Sequence, residues 1–433
     1  MTSLRGIAVL LTASVFLFAG VARTPRAHLA TGRIPLTPWP YLPGSIIPLR
    51  VDGFAAPYQA LVLGAGRLLP GGRYEIPQGT APGKALLVAG NAAGLAAATA
   101  RIGMPPSADR PLLIVASYDD GLVFHDARKF SVLGVLATGG TPSDVAIDAS
   151  GRIAAADTQG TALTLATLSP WNVAHVEGVV LGDEVAIDRT SRAVFVTDRD
   201  ANGAGALTRV SADGTITRVA TGATAEGLAI DEHRHLVYVA NVNDGTVTAV
   251  DARSMRIVRR FHAVSRIFSL ALSPDGTRLY GISNQSAGSP FAAPGSAVVL
   301  ALRGTPHLIA RSGDLGFPIG AALDPKAQTL FVTDEGFGEV DVLDSRTLRA
   351  KSPPLRTCAT PWEPSLDSAS ERLYVPCAGA NAIDAFDART LRRVRGAPFA
   401  TGSYPLAVAI WRPSERVPRG KRRTRREVQG ASK

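Results

Sequence analysis

Residues 225–264 read AEGLAIDEHRHLVYVANVNDGTVTAVDARSMRIVRRFHAV and contain four short strand patterns in succession. Apolar, aromatic and β-branched runs occur at 228–230, 236–240, 246–250 and 257–261, and Asp, Asn and Gly separate them. The last run carries interleaved charges, as expected of a strand with one exposed face. The stretch therefore predicts one antiparallel unit of four strands.

The same pattern returns along the chain at intervals of about 40 to 50 residues. A first marker ends the first strand of each copy, at Asp148, Asp188, Asp231, Ser273, Asp324 and Asp367. A second marker closes the second strand, at Asp157, Asp198, Asn241, Asn284, Asp334 and Cys377. We interpret the polar residues among these second markers as turn-forming side chains that satisfy backbone N–H groups. Two markers in phase indicate tandem copies of a single unit.

The two ends of the array complement each other. Residues 403–411 (SYPLAVAIW) carry a first-strand pattern with no strand after it, whereas residues 112–139 carry strands two to four with no first strand. Joining the pieces completes a seventh unit and removes the exposed sheet edges that invite aggregation. Residues 111–411 are therefore predicted to form an all-β, seven-bladed β-propeller closed by pairing between its two ends.

The segment LVYVANVNDGTVTAVDARSMRIV resembles the YVTN repeat of seven-bladed β-propellers, a group that includes NHL-type and lactonase-like propellers. The resemblance covers about residues 112–411 and implies the architecture. Propellers of this shape include enzymes, binding modules and surface proteins, so the resemblance alone does not define a function.

The first 22 residues carry one basic residue, Arg5, followed by an apolar run and small residues, which predicts a secretory signal peptide. The alternative is an uncleaved membrane anchor. Either way we expect an exported protein, in the periplasm, at the cell surface or secreted. Residues 23–45 are rich in proline and are predicted to be an extended linker that tethers rather than folds.

Residues 46–104 contain five strand-like pieces separated by Gly, Pro and Asn, and we interpret them as a small Ig-like β-sandwich before the propeller. The alternative makes residues 92–102, which are rich in Ala and Leu, a helix. No catalytic pattern is visible in this segment.

The tail at residues 412–433 holds nine basic and two acidic residues, and the chain as a whole carries a formal charge of +10. Because the basic excess lies at the two ends, the propeller itself gives no reason to expect a nucleic-acid partner. The tail is predicted to be disordered. An alternative is electrostatic contact with anionic lipid or cell-wall polymer at the envelope.

The sequence has two cysteines, Cys358 and Cys377, which flank the first two strands of the last complete copy. In an antiparallel hairpin these positions lie at the same end, so a disulfide is predicted in an oxidising compartment. The alternative is two free thiols. No CxxC pattern for metal or redox chemistry occurs.

In propellers of this type the first strands line a central channel. Polar or aromatic side chains four or five positions before the first marker should meet at its mouth, and they are Asp144, Asp183, Glu184, Glu226, Trp362 and Glu363. Carboxylates grouped in this way could attract a cationic ligand, or Asp144, Glu184, Glu226 and Glu363 could hold a divalent cation such as Ca²⁺. The alternative is that they are solvated rim residues or caps for backbone groups of the channel.

These observations lead to two functional hypotheses. The first is a monomeric, exported, non-catalytic scaffold that binds an unidentified protein or small-molecule ligand at the cell envelope. The second follows from the resemblance to gluconolactonase-like and streptogramin-lyase-like propellers, which implies a metal-dependent hydrolase or lyase using the channel carboxylates. The metal and base motifs of those enzymes do not align with this sequence residue by residue, and no histidine forms a recognisable triad or zinc pattern.

Overall fold

The computed structural model describes residues 30–200, 202–284 and 294–413. The predicted signal peptide at residues 1–22 lies outside these ranges, as does the basic tail beyond residue 413, and both remain predictions. The described chain is built of β-strands without an α-helix, and one short 3-10 helix occurs at Ala378–Ala380. No helix in the described ranges is long and apolar enough to cross a membrane.

The N-terminal part is a small β domain with two sheets. Its strands are β1 (Ala30–Gly32), β2 (Ile46–Pro48), β3 (Gln59–Gly64), β4 (Arg67–Leu69), β5 (Arg73–Glu75), β6 (Gly83–Gly90) and β7 (Gly94–Ile102). One sheet has the order β1-β7-β6-β3 and the other β2-β5-β4. Strand β7 pairs antiparallel with β6 along its length, so the helical alternative for residues 92–102 is wrong. Thr99 and Ile102 fit a strand, as their β-propensity suggests.

The linker prediction is wrong for residues 30–45. Strand β1 pairs in parallel with β7, and Tyr41 and Leu42 are only 3% and 0% exposed. Proline keeps this segment extended, but extended chain also presents N–H and C=O groups that a sheet edge can bind. The Leu42 N–H donates to the carbonyl of Val135 at 2.7 Å, so the expected spacer packs on the following domain.

Residues 112–411 form the remaining 28 strands of the described chain. In chain order they are β8 (Leu112–Ser117), β9 (Gly121–Asp126), β10 (Val132–Leu136), β11 (Pro142–Ile147), β12 (Arg152–Asp157), β13 (Ala162–Leu168), β14 (Trp171–Glu177), β15 (Val185–Ile187), β16 (Val194–Arg199), β17 (Ala204–Val210), β18 (Ile216–Ala223), β19 (Ala225–Asp231), β20 (Leu236–Asn241), β21 (Thr246–Asp251), β22 (Ile257–His262), β23 (Ile267–Leu272), β24 (Arg278–Ser283), β25 (Ser296–Ala301), β26 (His307–Arg311), β27 (Pro318–Asp324), β28 (Thr329–Asp334), β29 (Glu339–Asp344), β30 (Leu355–Arg356), β31 (Ser365–Asp367), β32 (Arg372–Cys377), β33 (Ala382–Asp387), β34 (Phe399–Ala400) and β35 (Pro405–Trp411). Within the described residues they pair antiparallel into seven four-stranded sheets, and in six of these the neighbouring strands are consecutive in the chain.

The ends of the array meet in one of these sheets. Strand β35 pairs with β8, with Trp411 opposite Leu112, so the sheet order is β10-β9-β8-β35. The first strands of successive sheets also contact one another from β11 through β15, β19, β23, β27, β31 and β35 back to β11. The predicted pairing between the two ends of the array is therefore present, and it closes a ring of inner strands.

Burial follows the strand position within a sheet. In the sheet of the quoted stretch, strands β20 and β21 are almost wholly buried, whereas the outer strand β22 is largely exposed. Val237, Val239 and Val250 pack between this sheet and the preceding one. The apolar second and third strands thus form the core between sheets, and the charged fourth strand faces solvent.

The register corrects one of the second markers. Leu272 pairs with Leu279, and Ser283 pairs with Ile267 at the end of β24. Ser283 therefore occupies the position that Asn241 holds in the preceding sheet, and Asn284 lies one residue beyond it. Ser283 lies ten residues after Ser273, the same spacing as from Asp231 to Asn241, so the second marker of this sheet is Ser283 rather than Asn284.

The two cysteines form a disulfide in the structure. Cys358 and Cys377 lie 5.7 Å apart between Cα atoms, within the range that a disulfide spans. Cys377 ends β32, and its backbone bridges to Pro361 in the segment that leads into β31. The bond therefore ties the entry of the last complete sheet to its second strand.

Candidate functional site

A cavity of about 840 Å³ lies where the inner strands begin, and we call it the channel-mouth cavity. The described residues on its wall include seven carboxylates and a single cationic side chain, Arg199. The carboxylates are Asp119, Asp144, Asp183, Glu184, Glu226, Glu335 and Glu363. The aromatic residues of the wall are Tyr118, Phe268, Phe317, Trp362 and Tyr404.

All six residues selected from the sequence line this one cavity. They are Asp144, Asp183, Glu184, Glu226, Trp362 and Glu363. Each lies within the first three residues of an inner strand or just before it, and those strands converge on the channel. The structure thus brings together side chains that are separated by more than 200 residues in the sequence.

Two of the carboxylates also bind the backbone of the next sheet. Asp144 accepts N–H bonds from Val145 at 2.7 Å and from Val185 at 2.9 Å. Glu184 accepts one from Leu228 at 2.6 Å. Burial raises the pKa of Asp144 to about 6, although both N–H bonds oppose the shift. Burial, followed by the charges of Glu363 and Asp144, raises the pKa of Glu184 well above its usual range.

Glu363 has one weak hydrogen-bond donor for its carboxylate among the described residues. Its nearest donor is the hydroxyl of Ser269, at 3.5 Å from Oε2. Its side chain lies against Gly320, where an added Cβ would overlap the carboxylate and require the Glu363 side chain to move. Burial, with the charges of Asp144 and Asp183, raises the pKa of Glu363 to about 8.

Arg199 lies between two further carboxylates. Its Nη1 is 3.3 Å from Asp183 Oδ2 and 3.2 Å from Glu226 Oε1. Burial and then the charge of Asp183 raise the pKa of Glu226 to about 8, while Arg199 and Arg266 act in the opposite direction. The Arg199 guanidinium therefore pairs with two carboxylates, and the rest of the wall formed by the described residues has no cationic side chain.

Three aromatic rings follow one another along the wall. The ring centroids of Trp362 and Tyr404 are 6.4 Å apart, and those of Tyr404 and Tyr118 are 6.0 Å apart. Both pairs meet edge to face. The buried Trp362 Nε1 has no hydrogen-bond partner among the described residues, so its N–H can donate to a ligand.

Several wall residues were missed by the sequence analysis. Tyr118, Thr158, Asn284 and Glu335 each come directly after the end of a second strand, and Arg199 ends β16, directly after the second marker Asp198. The loop between the second and third strands opens on the same face as the start of the first strand. The second marker could therefore have identified them, had the residue after it been considered.

The candidate metal ligands do not form a metal centre. In the described part of the chain, no group of three or more His, Cys, Asp or Glu side chains is placed to hold a metal ion. Both oxygens of Asp144 accept backbone N–H groups, and Glu226 pairs with Arg199. The donor set therefore does not fit the four-carboxylate cation site that the sequence suggested.

Comparison with known proteins supports the fold. No protein-family model matches the sequence, and no curated protein matches it. Among solved structures, a functionally unknown protein from Desulfotomaculum acetoxidans is similar with a TM-score of 0.57 and 17% identity, over 70% of this chain and 99% of the other. A candidate 6-phosphogluconolactonase from Bacteroides fragilis has a TM-score of 0.57 and 11% identity, over 71% and 99%. The Swd1 β-propeller domain from Myceliophteria thermophila has a TM-score of 0.55 and 11% identity, over 65% and 94%.

At this level of identity the likeness concerns architecture alone. The chain has a β-propeller fold similar to those of propeller and lactonase-like proteins, as the repeat predicted. What its site does must be argued from the cavity itself.

Proposed function

We propose that this chain is an exported, non-catalytic seven-bladed β-propeller, preceded by an Ig-like domain, that binds a positively charged organic ligand in the channel-mouth cavity. One observation carries the proposal: the described wall holds seven carboxylates but only one cationic side chain, Arg199. The volume of about 840 Å³ is within the range of small-molecule sites.

The charge imbalance gives the cavity a reason to bind a cation. Buried carboxylates with too few counter-charges are costly, and the raised pKa values of Glu226 and Glu363 express that cost. A ligand cation would stabilise their ionised forms. Because the medium inside the cavity is less polar than water, each charge pair is stronger there than at an open surface.

The aromatic rings favour an organic cation over a bare metal ion. The faces of Trp and Tyr attract ammonium groups within about 6 Å of the ring centre. Trp362, Tyr404 and Tyr118 form a continuous wall beside the carboxylates. A ligand with an ammonium group and apolar substituents can use both features, whereas a hard cation such as Ca²⁺ requires several oxygens around one point.

The test is calorimetric titration of the protein with choline and with its uncharged isostere 3,3-dimethyl-1-butanol. We expect choline to bind and the isostere to bind at least about tenfold more weakly, because only choline supplies the missing charge. Trp362→Ala should weaken choline binding, while Glu371→Gln, an exposed carboxylate outside the cavity, should not. Equal binding of the two probes, or no binding of either, would contradict the proposal.

The alternative, a metal-dependent hydrolase or lyase, is tested by thermal melting in the presence of divalent cations. The fold is shared with a candidate 6-phosphogluconolactonase, and the channel carboxylates would have to rearrange to hold an ion. A rise in melting temperature with Ca²⁺, Mg²⁺, Mn²⁺ or Zn²⁺ that disappears in Glu184→Ala would favour that alternative, since only native-state binding stabilises a protein.

The remaining parts of the proposal concern location and partners. We propose cleavage of the signal peptide near Ala22, a monomeric mature protein, and contact of the basic tail at residues 412–433 with anionic groups of the cell envelope. Mass spectrometry of the exported protein tests the cleavage. Release from envelopes by high salt, lost when the chain ends at Trp411, tests the role of the tail. No nucleic-acid partner is proposed.

A further inference from the structure

A second cavity of about 420 Å³ lies at the junction of the small domain and the propeller, and we call it the seam cavity. Backbone hydrogen bonds connect the two sides of its wall, one from the N-terminal segment and one from the propeller. The Leu42 N–H donates to Val135 at 2.7 Å, and the Ile46 N–H donates to Ala137 at 2.8 Å. The extended segment thus lies along the outer strand β10 and sets the position of the small domain beside the cavity.

The seam cavity adjoins the channel-mouth cavity. Tyr118 and Asp119 line both cavities, in the turn between β8 and β9. The hydroxyl of Ser403, on the seam side, donates to Asp119 at 2.9 Å. One ligand can therefore pass over this shared wall and occupy both cavities.

The seam cavity presents polar groups that the protein leaves unused. Thr138 is 8% exposed, and its buried Oγ1 has no partner in the described structure. Such groups are rare in folded proteins and indicate a missing donor or acceptor. The exposed side chain of Arg50 likewise forms no ion pair or hydrogen bond with the described residues.

The charges of this cavity are of both signs. Arg50 is its cationic group, and Asp119 and Asp120 are its carboxylates. The backbone N–H of Ser403 donates to Asp120 Oδ2 at 2.6 Å, which holds that carboxylate in place. The channel-mouth cavity attracts cations, whereas the seam cavity adds a guanidinium that can bind a carboxylate through two parallel hydrogen bonds.

We propose that the seam cavity is a second subsite, which binds the carboxylate end of a short basic peptide whose cationic side chain lies in the channel-mouth cavity. This inference rests on the proposed function and names the ligand class. Arg50 binds the terminal carboxylate, Thr138 donates to it, and Asp119 accepts a peptide N–H.

The spacing of the shared wall fits a peptide. Alternate side chains of an extended peptide lie about 6.6 Å apart. The ring centroids from Trp362 to Tyr404 to Tyr118 are separated by 6.4 and 6.0 Å, so successive rings can contact alternate residues. The path along these rings leads from the carboxylates of the channel mouth to the seam.

The test uses acetyl-Lys-Gly-Gly with a free carboxyl terminus, the same peptide amidated at that terminus, and the same free acid with an acetylated lysine side chain. Titrations use the full chain, Arg50→Gln, Thr138→Val and the control Arg101→Gln. Arg101 is an exposed side chain of β7 outside the cavity wall. Melting temperatures confirm that each variant is folded.

Amidation should weaken binding to the native chain at least about tenfold, because a charge-assisted hydrogen bond is lost. The free-acid and the amidated peptide should bind Arg50→Gln equally well, whereas Arg101→Gln should behave like the native chain. Thr138→Val should weaken binding of the free-acid peptide more than binding of the amidated peptide.

Equal affinity of the acid and the amide for the native chain would overturn the seam subsite. If lysine acetylation still weakened binding in that case, the channel-mouth proposal would stand. If lysine acetylation had no effect, the channel-mouth proposal would fail instead, so the two failures are distinguishable.

Discussion

Glu184 Oε2 accepts a hydrogen bond from the backbone N–H of Leu228 at 2.6 Å, and this contact joins the inner strands of two neighbouring sheets. The contact from Asp144 to Val185 repeats it one sheet earlier. Inner strands face the channel and have N–H groups that need acceptors. These carboxylates supply them, so two of the site residues also stabilise the ring and are fixed in position at the cavity.

Glu363→Gln should stabilise the protein at alkaline pH. The folded-state pKa of Glu363 is about 8, above the value of 4.5 expected for a free glutamate, so folding favours its protonated form. Its ionisation therefore lowers stability as the pH rises from about 4.5 to 8. The neutral variant lacks this loss and should be more stable by about 1–3 kcal/mol at pH 8.5, with little difference at pH 4.5.

Urea unfolding at the two pH values measures the effect of Glu363→Gln, and Glu371→Gln serves as a surface control. A variant that is equally or less stable than the native chain at pH 8.5 would show that Glu363 is better solvated or paired than the structure indicates.

Choline affinity should rise between pH 5.5 and 8.5. Choline keeps its charge throughout this range, whereas Asp144 ionises near pH 6, and Glu226 and Glu363 ionise near pH 8. Binding should release protons from these groups, because the cation stabilises their ionised forms. Calorimetry in two buffers of different ionisation enthalpy counts the protons. If choline affinity does not change with pH, these carboxylates do not contribute to ligand binding.

Arg393→Ala should destabilise the fold by about 2–4 kcal/mol. Asp384 is fully buried, and it accepts bonds from Arg393 Nε at 3.0 Å and Nη2 at 2.9 Å. Without Arg393, the hydroxyl of Thr357 is its remaining side-chain donor, at 2.9 Å. Denaturant unfolding measures the loss.

The matched control is Arg389→Ala, which removes a surface ion pair. Arg389 and Glu371 are 77% and 54% exposed and lie 3.8 Å apart, so their pair should contribute less than about 1 kcal/mol. Similar losses of unfolding free energy in Arg393→Ala and Arg389→Ala would contradict the distinction between buried and exposed ion pairs.

Removal of the disulfide by Cys358→Ser with Cys377→Ser should cost about 3 kcal/mol, because a closed loop of about twenty residues restricts the unfolded chain. Mass spectrometry of the unreduced protein shows whether the bond forms. The native chain with reductant should melt at the same temperature as the double variant. If reductant does not change the melting temperature of the native protein, the disulfide does not stabilise the fold.

Leu42→Ala should destabilise the junction between the two domains by about 2–4 kcal/mol, the usual cost of a cavity at a buried leucine. Leu42 is fully buried and packs with Ile114 and Leu136 of the closing sheet. Leu68→Ala, at a side chain 37% exposed, is the control. No loss in Leu42→Ala would mean that residues 30–45 tether the domains, as their proline content first suggested.

The repeat made much of the architecture predictable. Strand alternation, the turn residues at Asp231 and Asp251, and the incomplete ends of the array depend on local chemistry and periodicity, and both are visible in sequence. The same phase placed Asp144, Glu184 and Glu363 correctly, because a repeated unit puts equivalent positions at equivalent places in a ring.

Other features have no local signature. Residues 40–46 pair with the propeller because the outer edge of β10 presents free backbone groups, and that edge exists only in the folded sheet.

The amino-acid sequence by itself determined the all-β repeat, the pairing of its ends and the set of carboxylates facing one channel. Only the tertiary structure decided how those charges are balanced: Arg199 lies between Asp183 and Glu226, and Glu363 is left with one weak donor. The physical reason is that Coulomb energy and desolvation depend on distances and burial across separate sheets, and a linear pattern does not encode these distances.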